Sequence, residues 1–260
     1  MSTENFAAQA HRRLHDQHRT LHERPVPSPS PWWEGPLVGF DLETTGPDPD
    51  TARIVTACIL VHDPDHPTDV VRSWNWLVNP GVTIPDEATA VHGITTQRAV
   101  EDGQDPTSAI GSIITTLYGF SLPMVAFNAA FDFTVLDREA RRHGIQPLDP
   151  EPVVDPFVLD KQADRYRRGS RKLVDVSAHY GVDLTDAHTA DADALAAVHV
   201  ARAIGRQHRP PANAHHLHVG QIAWRAEQCE SLQDYLRRTK DQKAIVDPTW
   251  PVHPYQEAVA

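Results

Sequence analysis

The sequence predicts a mixed α/β fold, one sheet covered by helices, and three observations predict it. Three strand-like runs, "LVGFDLE", "RIVTACILV" and "VVRSWNWLV", follow one another through short connections that suit antiparallel neighbours. Two further short apolar runs, "PMVAF" and "PVVDP", then alternate with helical segments, which makes the sheet five-stranded and mixed. Hydrophobic residues are 40% and charged residues 23% of 260, so the chain can bury one substantial core with length left over for arms.

Taken in order, residues 1–24 put Phe6, Ala10, Leu14 and Leu21 on a narrow helical face, read either as a polar arm or as a partner-binding helix. "RPVPSPSPWWEGP" is a semi-rigid linker whose Trp32 and Trp33 are expected to pack on the domain edge. After the three strands, "NPGVTIPDEATAVHGITT" reads as a loop leading to a helix around "TSAIGSIITTLYGF". "NAAFDFTVLDREARRHGI" reads as a helix with Asn128 as N-cap and Gly144 near its end. Helices around "PFVLDKQADRY", "RKLVDVSAHYG" and "ADADALAAVHVARAIGR" complete a domain spanning 36–206. Residues 1–35 are the arm and linker, and 207–260 a C-terminal helical extension. In that extension His215, His216 and His218 read as a polar helix start, since their spacing is not distinctive of a metal tract.

Composition excludes several classes. No apolar run approaches the roughly 20 residues of a membrane span, and the N-terminus lacks the apolar segment of a secretory signal. Cys58 and Cys229 are far apart, so a disulfide framework is not expected and the default compartment is cytoplasmic. The net charge of −11 argues against a long nucleic-acid-binding track, yet a site gripping a strand end needs few phosphate contacts.

Within "LVGFDLETTG", strand alternation puts Val38, Phe40 and Leu42 on one face and Gly39, Asp41 and Glu43 on the other. Two like charges side by side on a buried strand are disfavoured by repulsion and desolvation unless a cation sits between them. Asp132 falls in the first turn of the helix after "PMVAF", where the helix dipole alone would also favour an acid. His188 precedes the alanine-rich last helix of the domain and Asp193 lies five residues on. Such a helix can approach the sheet closely enough to bring Asp193 near Asp41 and Glu43.

As an ordered set, Asp-x-Glu on the first strand, Asn-x-x-x-Asp at a strand-to-helix turn and His-x-x-x-x-Asp opening a last helix resemble the DEDDh 3′→5′ exonucleases. That family has the ribonuclease H-like superfold and includes the proofreading subunit of bacterial DNA polymerase III. "VHGIT" and "VVDP" are supporting matches, and the resemblance covers about residues 37–205.

The resemblance implies two divalent ions, Mg²⁺ or Mn²⁺, as all-oxygen ligands favour. Asp41 would bridge both, Glu43 and Asp193 would ligate one, and Asp132 the other. His188 would be the general base that takes a proton from the attacking water. Leu42, Thr44, Thr45, His92 and Asn128 match positions at the terminal nucleotide, although Phe127 stands where many relatives carry histidine. The implied substrate is a nucleic-acid 3′ end, with single-stranded or frayed DNA leading and RNA as the alternative. A non-catalytic binding module is the third reading. "RYRRGSRK" reads either as a solvated face or as a phosphate contact. No clamp-type Gln-x-x-Leu-x-Leu-Phe peptide marks the tail, so a polymerase or clamp partner is not inferred, and the terminal extensions leave a homodimer open.

Overall fold

A computed structural model describes residues 30–66, 70–184 and 188–255; the predicted arm at 1–24 lies outside them. Strand β1 (Leu37–Thr44) is the middle of a five-stranded sheet. On one side β2 (Ile54–His62) pairs with it antiparallel, placing Asp41 opposite Cys58 and Glu43 opposite Thr56. β3 (Val70–Leu77) is antiparallel to β2 and forms that edge. On the other side β4 (Met124–Val125) and β5 (Val153–Val154) run parallel to β1, in the order β3-β2-β1-β4-β5. The antiparallel trio is the arrangement that its short connections dictate.

Three helices lie between β3 and β4: α1 (Asp86–His92), α2 (Thr96–Asp102) and α3 (Pro106–Tyr118). The first two occupy what the sequence predicts as plain loop. They exist because Gly93, at φ 73°, ends one and the Thr95 hydroxyl caps the other. Val55, Ile84, Ile94 and Ala99 form a small apolar cluster beneath them. The remaining helices are α4 (Ala129–Arg142), α5 (Pro156–Ala163), α6 (Leu173–Tyr180), α7 (Ala190–His208) and α8 (Ala214–Thr239).

The sheet is packed on both faces. Val38, Phe40 and Leu42 share a core with Ile110, Ile113 and Leu117 of α3 and Phe133 and Leu136 of α4. Leu37 and Leu60 share another with Ala194, Ala197, Val198 and Ala201 of α7. The small residues of α7 let its backbone approach the sheet, and Gly39 completes the fit. A Cβ at that position would stand 3.0 Å from both the Ala194 carbonyl and a Val198 methyl. Trp32 and Trp33 are buried, as expected, with Trp33 against Gly205 of α7 and its carbonyl accepting from Arg202 at 2.6 Å.

The basic run has a structural use that neither sequence reading contains. Arg167 and Arg171 donate to the fully buried carboxylate of Asp160 at 2.9 and 2.5 Å, and Arg165 pairs with Glu227. The C-terminal extension covers the β5 edge. Asn213 caps α8 by accepting from His215 and His216, but His218 is buried, its Nδ1 accepting from Val153 N at 3.1 Å. Gln221 accepts from Asp155 N and donates to the Val153 carbonyl, satisfying edge groups that would otherwise be open. Among the described residues no helix is long and apolar enough to cross a membrane.

Candidate active site

The close approach of α7 decides where the acids meet. Asp41 and Glu43 point from β1 toward the α7 side, and Asp193 stands on the first turn of that helix. Carboxylate oxygens from Asp41, Glu43 and Asp193 all lie within 4.8 Å of one another. Asp132 comes from the opposite layer, in the first turn of α4, and is buried. Its Oδ1 accepts from Leu42 N at 3.2 Å, so it is fixed to the same strand between the two acids of β1. His188 stands at the exposed mouth with a left-handed backbone (φ 72°), its N–H directed at both Asp193 oxygens at 3.3 and 3.4 Å.

Crowding shows in the electrostatics. Burial and then the charges of Asp132, Asp193 and Glu43 hold the Asp41 carboxyl well above the usual carboxylate range. Burial also raises Asp132 and Asp193, against hydrogen bonds that favour their charged forms. Glu43 is pushed up to about 7 by burial and the neighbouring Asp193. Among the described residues no Lys or Arg forms an ion pair with any of the four. Converging hard oxygens with no cationic side chain to neutralise them fit a divalent cation such as Mg²⁺ or Mn²⁺.

This crowding has a thermodynamic signature. Native Glu43 keeps its proton until about pH 7, whereas the unfolded chain releases it near 4.5. The native state therefore binds more protons between those values, and stability falls as pH rises through that window. Discounted for solvent screening, the cost above pH 7 is about 2 kcal/mol, or roughly 4–8 °C. With chelator present, Glu43→Gln is expected to melt above the wild type at pH 7.5 and nearly with it at pH 5. Comparing the two proteins cancels the histidines, and a gap that stays constant with pH would contradict the raised Glu43.

The other predicted residues are distributed around the end of β1. Thr44 donates to the Gly46 carbonyl and Thr45 Oγ1 accepts from Arg53 N, both at 2.9 Å, which fixes the turn. The Leu42 side chain lies in the core on the α3–α4 side. His92 is buried beside Thr44, its Nδ1 accepting from Ile94 N at 3.1 Å and its ring facing the Thr44 backbone. Burial shifts its imidazole toward the neutral form.

Asn128 requires a correction. It occupies the N-cap position of α4, but with φ 64° and ψ 48°, and its side chain makes no capping bond. The cap is Asp155, 27 residues later. Its Oδ1 accepts from Asn128 N and Phe157 N at 2.9 and 3.0 Å, and its Oδ2 from Ala129 N and Trp250 Nε1 at 3.0 and 3.1 Å. Sequence reasoning missed this support for the turn that carries Asp132. "VVDP" was the available signal for Asp155, while Trp250 gave none. The tail is fastened further where His253 N donates to Thr134 Oγ1 and Arg138 donates to the His253 and Pro254 carbonyls.

Known proteins resemble this chain in sequence and in fold. The Exonuclease (RNase_T) family model matches residues 38–201. The uncharacterized exonuclease CP81 of Escherichia phage 186 is 31% identical over 175 residues, covering 62% of this chain and 84% of the phage protein. The PolC-type DNA polymerase III of Lacticaseibacillus paracasei is 25% identical over 171 residues, 65% of this chain but 11% of the polymerase. Among solved structures, E. coli exonuclease I in complex with a dT13 oligonucleotide superposes with TM-score 0.57 at 20% identity, over 67% of this chain and 42% of that one. Exonuclease I from Methylocaldum szegediense gives 0.55 at 22%, over 67% and 41%. The chain thus spans about two fifths of the exonuclease I structures, and they share with it the fold. With the family model covering most of the chain, and its span enclosing all four converging acids, this protein belongs to the RNase_T-type exonuclease family.

Proposed function

We propose that the protein is a 3′→5′ exonuclease that removes nucleoside 5′-monophosphates from single-stranded or frayed DNA. The observation that carries this is the meeting of Asp41, Glu43 and Asp193 within 4.8 Å, with Asp132 fixed to the same strand from the opposite layer. Asp41, Glu43 and Asp193 would hold one divalent ion, and Asp41 with Asp132 a second. When bound, such a pair activates the attacking water and neutralises the charge that develops at phosphorus.

The chain's own groups do the rest. His188, at the exposed mouth beside Asp193, takes the proton from the attacking water, a task for which an imidazole has both an acceptor nitrogen and access to solvent. Thr44, Thr45 and His92, set by the β1 turn, border the place of the terminal nucleotide, with Leu42 and Asn128 behind them. DNA is favoured because the similar exonuclease I structure is seen with an oligo(dT) and one of the two sequence relatives is a DNA polymerase. Editing or clearing of frayed DNA ends is the setting that such an activity fits.

Oligonucleotides of DNA and RNA, labelled at either end, test polarity and substrate together. A ladder shortening from the 3′ end of DNA, with Mg²⁺ or Mn²⁺ and not with chelator, is expected. Internal cuts, or trimming of RNA alone, would replace the proposal. His188→Ala should slow turnover by about 10²–10⁴-fold with metal affinity unchanged by calorimetry. A wild-type rate across pH 6–9 would remove it as the base.

A further inference from the structure

Four side chains at the adjoining corner of the sheet have no part in the chemistry above. Phe127 lies two residues after β4, just before Asn128, and Phe157 stands in the first turn of α5. Asp155 Oδ1 accepts from both Asn128 N and Phe157 N, so α5 is tied to the turn that leads to Asp132. The two rings, both partly exposed, meet edge-on with centroids 5.8 Å apart. Two cations flank Phe157: Lys161 Nζ lies 4.7 Å from its centroid and the Arg225 guanidinium carbon 5.9 Å.

These two partly buried cations differ from the arginines that brace the rest of the domain. Arg138, Arg142, Arg167 and Arg171 are all spent on carboxylates. Among the described residues Lys161 and Arg225 have no ion pair, and Arg225 Nε is buried without a hydrogen-bond partner. The acids that act on them electrostatically are committed elsewhere, Asp155 to four N–H donors and Asp247 to Thr249. Burial and the Arg225 charge both work against the protonated form of Lys161. Like charges side by side over an aromatic face call for an anion.

The place suggests which anion. Because β1, β4 and β5 are parallel, their C-terminal ends open on one side of the sheet, with the carboxylates at β1 and the rings after β4 and β5. Two inter-strand spacings separate β1 from β5, about 10 Å, a reach of the first few nucleotides. Cations interleaved with aromatic rings are the composition of single-strand sites, where phosphates meet charge and bases meet rings.

We propose that Phe157, Lys161 and Arg225, with Phe127 at the edge, form a subsite for a backbone phosphate and base of single-stranded DNA upstream of the scissile bond. Arg225 lies outside the family-matched span of 38–201, so the subsite is partly built by the C-terminal extension. It rests on the exonuclease assignment, and the test separates the two.

The test compares wild type with Lys161→Gln/Arg225→Gln on a 12-residue oligo(dT) and on the p-nitrophenyl ester of thymidine 5′-monophosphate, which fills only the terminal position. The variant's KM for the oligonucleotide is expected to rise about tenfold, and its dependence on log salt to flatten by about 1.4, two contacts at 0.7 each. Ester hydrolysis reports an intact fold, and Lys161→Arg in the Arg225 background should recover part of the loss. Equal KM and salt slope in the two proteins, or an equal loss on both substrates, overturns the subsite. If the wild type hydrolyses neither substrate, the exonuclease assignment is what fails. Fluorescence anisotropy of the oligonucleotide in chelator then decides the subsite, a tenfold weaker affinity for the variant supporting it and equal affinities rejecting it.

Discussion

Asp41→Asn is expected to lower metal-dependent DNA digestion by at least about a thousandfold while making the metal-free protein more stable. The amide keeps the shape of the carboxylate, so β1 and its pairing with Cys58 persist. What is removed is the charge at the centre of the cluster, the one that Asp132, Asp193 and Glu43 all oppose. On the proposed mechanism, loss of the oxygen ligand shared by the two ions abolishes cation binding, whereas loss of the repulsion raises the melting temperature in chelator. Rates on labelled oligonucleotides, calorimetric titration with Mn²⁺ and thermal melts read the three effects. A variant within tenfold of wild type would show that Asp41 does not hold the ions. A variant both inactive and less stable would show that its role is structural.

Gly39→Val should cost about a hundredfold in rate, although residue 39 carries no functional group. The first added carbon would already meet the Ala194 carbonyl and the Val198 side chain at 3.0 Å and Leu60 at 3.1 Å. A valine brings two further methyls, so α7 has to move outward, and Asp193 at its start moves with it. Overpacking of this kind costs about 1–3 kcal/mol. A shift near 1 Å in a reacting constellation is worth about a hundredfold in rate. Activity should therefore fall much further than stability, with Mn²⁺ affinity weakened in parallel. Gly39→Ala should give a smaller effect in the same direction. If the valine variant melted low yet retained its activity per folded molecule, the packing of α7 would not be setting the site.

The legible and illegible parts of the molecule divide by the range of the interactions involved. Strands β1 to β3 could be read because alternation and short connections are local, and the placement of Asp41 and Glu43 on one face followed from the same period. Helices α1 and α2 could not, since each has seven residues and depends on Thr95 and Gly93 over a cluster that forms in three dimensions. Asp132 and Asp193 are ordinary helix-start acids until topology brings them to β1, so their significance came from the ordered resemblance. Asn128 misled because Asn before a helix usually caps it; here a carboxylate 27 positions later does so. The indole that braces that carboxylate comes from still farther away, and no local pattern announces it.

That brace carries a consequence for the order in which the molecule is made. Residues 247–255 leave the ribosome after every element they secure, so Trp250 reaches Asp155, and Arg138 the His253 and Pro254 carbonyls, only when synthesis has passed them. A chain that stopped before residue 247 would lack the indole on Asp155 and the two carbonyls on Arg138. The turn that carries Asp132 thus acquires its full set of hydrogen bonds only after residues 247–255 have been made.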